Sequence, residues 1–331
     1  MRKIFRASLI LAAVGACGTG TAGAATPRVL NAFALSHRAD WVGQVDGTTL
    51  AYGARTVGSG IQVLADGTGT PRVVAAPPDG PYGCAGAAAG AGHLLFSCNL
   101  GYASMSVTRR AIVTAADGTV EASRDYTLQG TADGSTPGEA DAIGAHWIHH
   151  PGGCYHCGGF SVDVDWQTGA VREPRLGSLR NVEDLDAPDA VTRLCAPLKQ
   201  SGPPADAGEF DEWPATLGLQ RSGHWVLQGV YAPSSDAFPP VAWRLRHCGT
   251  TKVYKMPGGA EPLALAGGFV VMDDGGLELL RLRDRRVFRI AGVYPAHDSS
   301  FPQVAATAHR MLIRGDATSR TVLWTVRLPQ R

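Results

Sequence analysis

The sequence predicts an all-β chain folded as a six-bladed β-propeller of four-stranded antiparallel blades. Three observations lead there. Of 331 residues, 42 are glycine and 21 proline while 18% are charged, which suits short strands and tight turns better than helices. A unit of strand, turn, strand, gap, strand, turn, strand recurs at roughly 40–50 residues, the spacing of propeller blades. The last unit is one strand short, while an apolar segment near the start has no neighbour to pair with.

Taken in order, the first residues read as an export signal. Arg2, Lys3 and Arg6 precede an apolar run, Ala7 to Ala16, that is too short to span a bilayer. Two processing readings stay open. Ala22-Gly23-Ala24 is a small-residue cleavage motif and gives a signal peptide of residues 1–24. Val14-Gly15-Ala16-Cys17 resembles a bacterial lipobox, which gives a signal of residues 1–16 and a lipidated Cys17. Either way the propeller occupies 26–331, and the expected location is extracellular or in the cell envelope, with any membrane attachment through the lipid alone. Loss of the first 24 residues leaves 27 basic against 29 acidic side chains, a net charge of −2. A near-neutral surface offers no footprint for nucleic acid.

Arg28 to Phe33 is the unpartnered apolar segment. After it, second strands are expected to begin near Thr49, His93, His146, His224, Phe269 and Arg310, at separations of 44, 53, 78, 45 and 41 residues. Turns between third and fourth strands recur at Asp66-Gly67, Asp117-Gly118 and Thr168-Gly169. The long interval holds an acidic, proline-rich insertion at about 176–213, in which Asp186 is placed to cap a short helix with Pro188 in its first turn. Pro262 to Gly292 is the plainest unit, with strands at Leu263–Leu265, Phe269–Met272, Leu277–Leu282 and Val287–Ile290. The chain ends after Val322 to Leu328, so Arg28–Phe33 is expected to complete the last blade and remove an open sheet edge.

Outside the signal lie six cysteines: Cys84, Cys98, Cys154, Cys157, Cys195 and Cys248. In an exported chain an even count reads as disulfides, though six cysteines allow fifteen pairings. A hairpin about Ala91 sets Cys84 opposite Cys98, close enough for a bond. Cys195 and Cys248 are left to tie the insertion to the next blade.

The stretch "HHPGGCYHCGG", His149 to Gly159, carries three readings. Cys154 and Cys157 have zinc-type spacing, with His149, His150 or His156 to complete a site. The same pair suits a redox dithiol. A second cysteine pair or a spaced histidine pair is missing, so the expectation is a disulfide pinning an exposed loop, with no metal and no cofactor. Alternation along the strand sets His146 and His150 on one face and His149 on the other. Asp163 and Asp165 share a face and read as solvated. Phe210 and Trp213 in "EFDEWP", Glu209 to Pro214, read as anchors of the insertion. Arg281, Arg283, Arg285, Arg286 and Arg289 flank one hairpin and read as a solvated edge.

With these repeats, and with "VDVDWQTGAV" and "LRLRDRRVFRI", the chain from Arg28 to Leu328 resembles exported bacterial propellers of the TolB-like and WD40-like kind. The resemblance implies the fold and a tendency to bind partners. A strict WD blade tail and a family catalytic signature are both missing, so it transfers no site residues. Nucleophile-elbow, zincin, P-loop and dinucleotide motifs are missing as well. The expected role is therefore a monomeric binding or scaffold module for a protein or small ligand. The rival is a hydrolase or lyase with a site at the channel mouth.

Overall fold

In the computed structural model the described residues are 28–35, 39–78, 82–103, 105–130, 136–151, 161–172, 185–186, 219–230, 242–248, 250, 253–256, 261–293, 304–317 and 320–329. The export signal with Cys17, the cysteines Cys154, Cys157 and Cys195, His156, and all of the insertion except Leu185 and Asp186 lie outside them.

Strand β1 (Arg28–Leu35) comes first. The first sheet is β2 (Trp41–Gln44), β3 (Thr49–Gly53), β4 (Ile61–Ala65) and β5 (Arg72–Val74). The second is β6 (Cys84–Gly90), β7 (His93–Ala103), β8 (Ser106–Ala115) and β9 (Val120–Gln129). The third is β10 (Ala142–Ile143), β11 (Trp147–His150), β12 (Val162–Asp165) and β13 (Val171–Arg172). The fourth is β14 (Leu219–Ser222), β15 (Trp225–Val230), β16 (Ala242–His247) and β17 (Val253–Lys255). Then come β18 (Glu261–Ala266), β19 (Phe269–Asp273), β20 (Leu277–Arg281) and β21 (Val287–Ala291), and finally β22 (Val304–Ala306), β23 (Arg310–Ala317) and β24 (Arg320–Arg327).

The last seven strands and β1 form one continuous eight-stranded sheet. Its joint is β1. Arg28–Asn31 pair in parallel with β21, and Ala32–Leu35 then pair antiparallel with β24. The sequence anticipated the second pairing but not the first.

Each sheet buries both faces. In β3 all five residues are buried, Leu50 and Tyr52 toward one neighbour and Ala51 toward the other. Apolar seams join the first sheet to the second, the second to the third, the fourth to β18–β20, and β18–β21 to β22–β24. A further seam packs Ala305, Leu312 and Leu323 onto Leu50, Tyr52 and Leu64, so the end of the chain returns to its beginning. Consecutive first strands also touch: β2 with β6, β6 with β10, β14 with β18, β18 with β22, and β22 with β2. First strands that touch from sheet to sheet, with the last sheet packed on the first, make a β-propeller-like arrangement among the described residues.

Cys84 and Cys98 are register partners and are bonded, with Cα atoms 4.0 Å apart. The route differs from a hairpin centred on Ala91. The turn is the two-residue Ala91-Gly92, both at positive φ, and a bulge at Ala87 shifts the register so that the cysteines meet. On the chain-entropy estimate this crosslink contributes about 3 kcal/mol. Ala91 sits at φ 51°, where a Cβ costs roughly 1 kcal/mol. Ala91→Gly is expected to raise the urea midpoint, offset in part by unfolded-state entropy; a lowered midpoint would contradict the turn assignment. Cys248 is also disulfide-bonded, and its expected partner Cys195 lies outside the described residues.

Candidate functional site

Polar chemistry gathers where the second and third sheets meet. The second sheet is unusual: β7, β8 and β9 have 11, 10 and 10 residues, against two to four for the strands of the third. Their extra length forms a wall beside the third sheet. Val107 and Leu128 of that wall are buried against Ala140 and Ile143.

Two polar contacts cross the seam, one buried and one reaching an exposed carboxylate. His150 is fully buried; its Nδ1–H donates to the Gly138 carbonyl at 2.9 Å, and its Nε2 accepts from the Tyr126 hydroxyl at 2.9 Å. Burial holds this imidazole neutral, pushing its pKa down to about 3, and pushes the Tyr126 hydroxyl up. Arg109, also buried, meets Glu139 at 2.7 Å.

On the opposite face of β11 lies a second cluster, set by register. His149 pairs with Asp163, and Asp163 with Arg172. The carboxylate can only accept, so His149 Nδ1–H donates to it at 2.9 Å, while the Arg172 guanidinium donates from the other side at 3.2 and 3.3 Å. Asp163 is therefore buried, not solvated as its strand position alone suggests. His149 Nε2 is buried too and, among the described residues, has no hydrogen-bond partner. Arg172 lies 3.5 Å over the Trp147 ring and donates to the Leu185 carbonyl at 2.8 Å.

Asp186 completes this anchorage. Its carboxylate accepts the backbone N–H groups of Ala145 and His146 at 2.6 and 2.8 Å. A Cβ at Gly144 would collide with it, which accounts for the glycine. Asp186 was expected to cap its own helix; within the described residues it caps the β10–β11 turn. The insertion is thus fastened to the third sheet at Leu185–Asp186. Asp165 turns the chain, accepting from Gln167 and Thr168 at 2.9 Å each, and His146 is exposed.

At the turn end of the seam, a shallow cleft of about 530 Å³ is lined by His93, Glu121, Ser123, Arg124, Trp166 and Gln167. His93 Nδ1 and Glu121 are 2.6 Å apart, and the His93 ring meets Trp166 edge-on. Nothing in the sequence reading singled this cleft out, because its residues come from separate turns. The arginine hairpin also departs from expectation. Arg281 is buried and forks onto Asp284, holding that carboxyl down to about 2, while Arg285 stacks on Tyr254 at 4.0 Å. Arg283, Arg286 and Arg289 are exposed as expected.

Removing the shared carboxylate tests the His149–Asp163–Arg172 cluster. Asp163→Ala leaves two donors without their acceptor and is expected to cost about 3 kcal/mol in urea unfolding, with Asp163→Asn losing less. A change below about 0.5 kcal/mol would contradict the burial of this pair.

No family model matches the chain, and no curated protein matches it. Among solved structures it is similar to an acylaminoacyl peptidase from Pyrococcus horikoshii, at 9% identity over 90% of this chain and 46% of that one, TM-score 0.31. A prolyl endopeptidase matches at 15% identity over 86% of this chain and 40% of that one, TM-score 0.32. The β-propeller domain of the Trilobed protease from Pyrococcus furiosus matches at 10% identity over 87% of this chain and 83% of that one, TM-score 0.29. The chain spans less than half the length of the first two. The fold assignment rests on the sheet order and the seams themselves.

Proposed function

We propose that the protein is an exported six-bladed propeller that acts as a binding or scaffold module. Six four-strand groups in chain order support the blade count, with β1 taken as the fourth strand of the last. The Cys84–Cys98 bond accords with an oxidising compartment. The observation that carries the binding reading is the β7–β8 hairpin. It is braced along its inner face by the seam, yet its tip presents Tyr102 and Met105 at 69% and 52% exposure. Large apolar side chains held out on rigid strands are what interface anchors look like.

The test is in-cell photo-crosslinking from position 102 in the producing organism. The expected outcome is one discrete adduct that disappears in a Met105→Asp variant of unchanged circular dichroism. Diffuse adducts insensitive to Met105→Asp would count against the hairpin.

One observation favours the enzyme alternative: His149, oriented by Asp163, has a buried Nε2 with no partner among the described residues. Reproducible turnover of a defined substrate, abolished by His149→Gln, would replace the binding reading.

A further inference from the structure

The outermost strands of a ring of sheets are its exposed edges, and a long unpaired edge is a template for another strand. Among the described residues most of these edges are short or covered. β5 has three residues, β13 two and β17 three, while β21 is covered by β1. β9 is the exception. It has ten residues, ends the sheet order of its blade, and pairs with β8 on one side only. It contains no proline, and apart from a bulge at Glu121 its register is regular from Ala122 to Gln129.

The charges on this edge are unevenly compensated. Glu121 is held by His93 at 2.6 Å, and Asp125 by Arg110 at 2.9 Å. Arg124, at the middle of the strand, donates its one hydrogen bond among the described residues to a neutral acceptor, the Gln167 carbonyl at 2.8 Å, and shares only a through-space attraction with Asp125. Around it Ser123, Thr127 and Gln129 are exposed and polar.

We propose that the outer edge of β9 receives an extended, acidic segment of a partner polypeptide as a fifth strand. The added strand gains backbone hydrogen bonds along Ala122–Gln129, and an Asp or Glu opposite Arg124 sets its register. A second copy of this chain fits poorly. An antiparallel pair related by a two-fold axis must centre on one residue; centring on the middle of β9 opposes Arg124 to Arg124 or Asp125 to Asp125. This inference rests on the binding reading and specifies where and how a partner docks.

The experiment selects ten-residue peptides from a random library on the immobilised full-length protein, then measures hydrogen exchange of the complex. The expected peptides carry an acidic residue within a proline-free run of about six residues. They slow exchange in Ala122–Gln129, and Arg124→Glu weakens them by about tenfold while Arg283→Glu does not. Peptides that bind but leave β9 exchange unchanged, or that ignore Arg124→Glu, overturn the edge site and leave the binding reading standing. Failure to enrich any peptide, or a dimer that protects β9 in ultracentrifugation and exchange, overturns it as well.

Discussion

A chain lacking residues 28–35 is expected to lose its cooperative thermal transition and to self-associate. β1 is thinly buried: outward residues include Val29 and Phe33, and only Leu30, Ala32 and Leu35 pack inward. Its importance lies in pairing. Removing it uncovers the edge of β21 along Phe288–Ala291 and that of β24 along Leu323–Val326. The lost backbone bonds and inward side chains sum to at least about 5 kcal/mol, comparable with the whole stability of many domains. Two adjacent bare edges then favour intermolecular pairing. Scanning calorimetry with sedimentation velocity would show it. A monomeric variant with an unchanged transition would contradict the closure.

Acid should destabilise the protein through His150. In the folded state its pKa is about 3, against 6.5 in the unfolded chain. Between those values the unfolded state binds the extra proton, so stability is full above pH 6.5 and falls as pH drops toward 3. The loss attributable to this one group is on the order of 4 kcal/mol. His150→Gln keeps a donor and an acceptor for Gly138 and Tyr126 but does not titrate. Urea unfolding at pH 7 and pH 3.5 should therefore show wild type losing several kcal/mol more than His150→Gln. Equal losses would mean that His150 is not buried as a neutral ring.

Much of the fold is legible in the sequence because its turns are. Expected second-strand starts at Thr49, His93, Phe269 and Arg310 coincide with the first residues of β3, β7, β19 and β23, and His146 and His224 each precede theirs by one residue. The polar site was less legible. Reading Asp163 as solvated assumed that one sheet face meets water, whereas stacked blades cover both faces, so a polar residue on either must find a partner on the next strand. Arg281 was misread for the same reason. The turn as read did not supply the partner of Asp163: counted outward, Thr168-Gly169 sets Asp163 opposite Pro174, whereas the observed turn is centred on Gln167-Thr168 and sets Asp163 opposite Arg172. What no counting reveals is the Arg28–Asn31 pairing with β21, or the contacts of Asp186, because these depend on how whole sheets sit beside one another.

The pairing of β1 with β24 brings the two ends of the described chain together, and one crosslink tests it. Phe33 and Thr325 are direct register partners, close in space though separated by nearly the whole chain. A Phe33→Cys/Thr325→Cys variant, oxidised at low protein concentration, is expected to form an intramolecular bond joining the peptides that contain residues 28–35 and 320–327. A loop of that length adds roughly 5 kcal/mol on the chain-entropy estimate, and the urea midpoint should rise accordingly. Free thiols at these two positions, or disulfide-linked dimers in place of the intramolecular bond, would contradict that pairing.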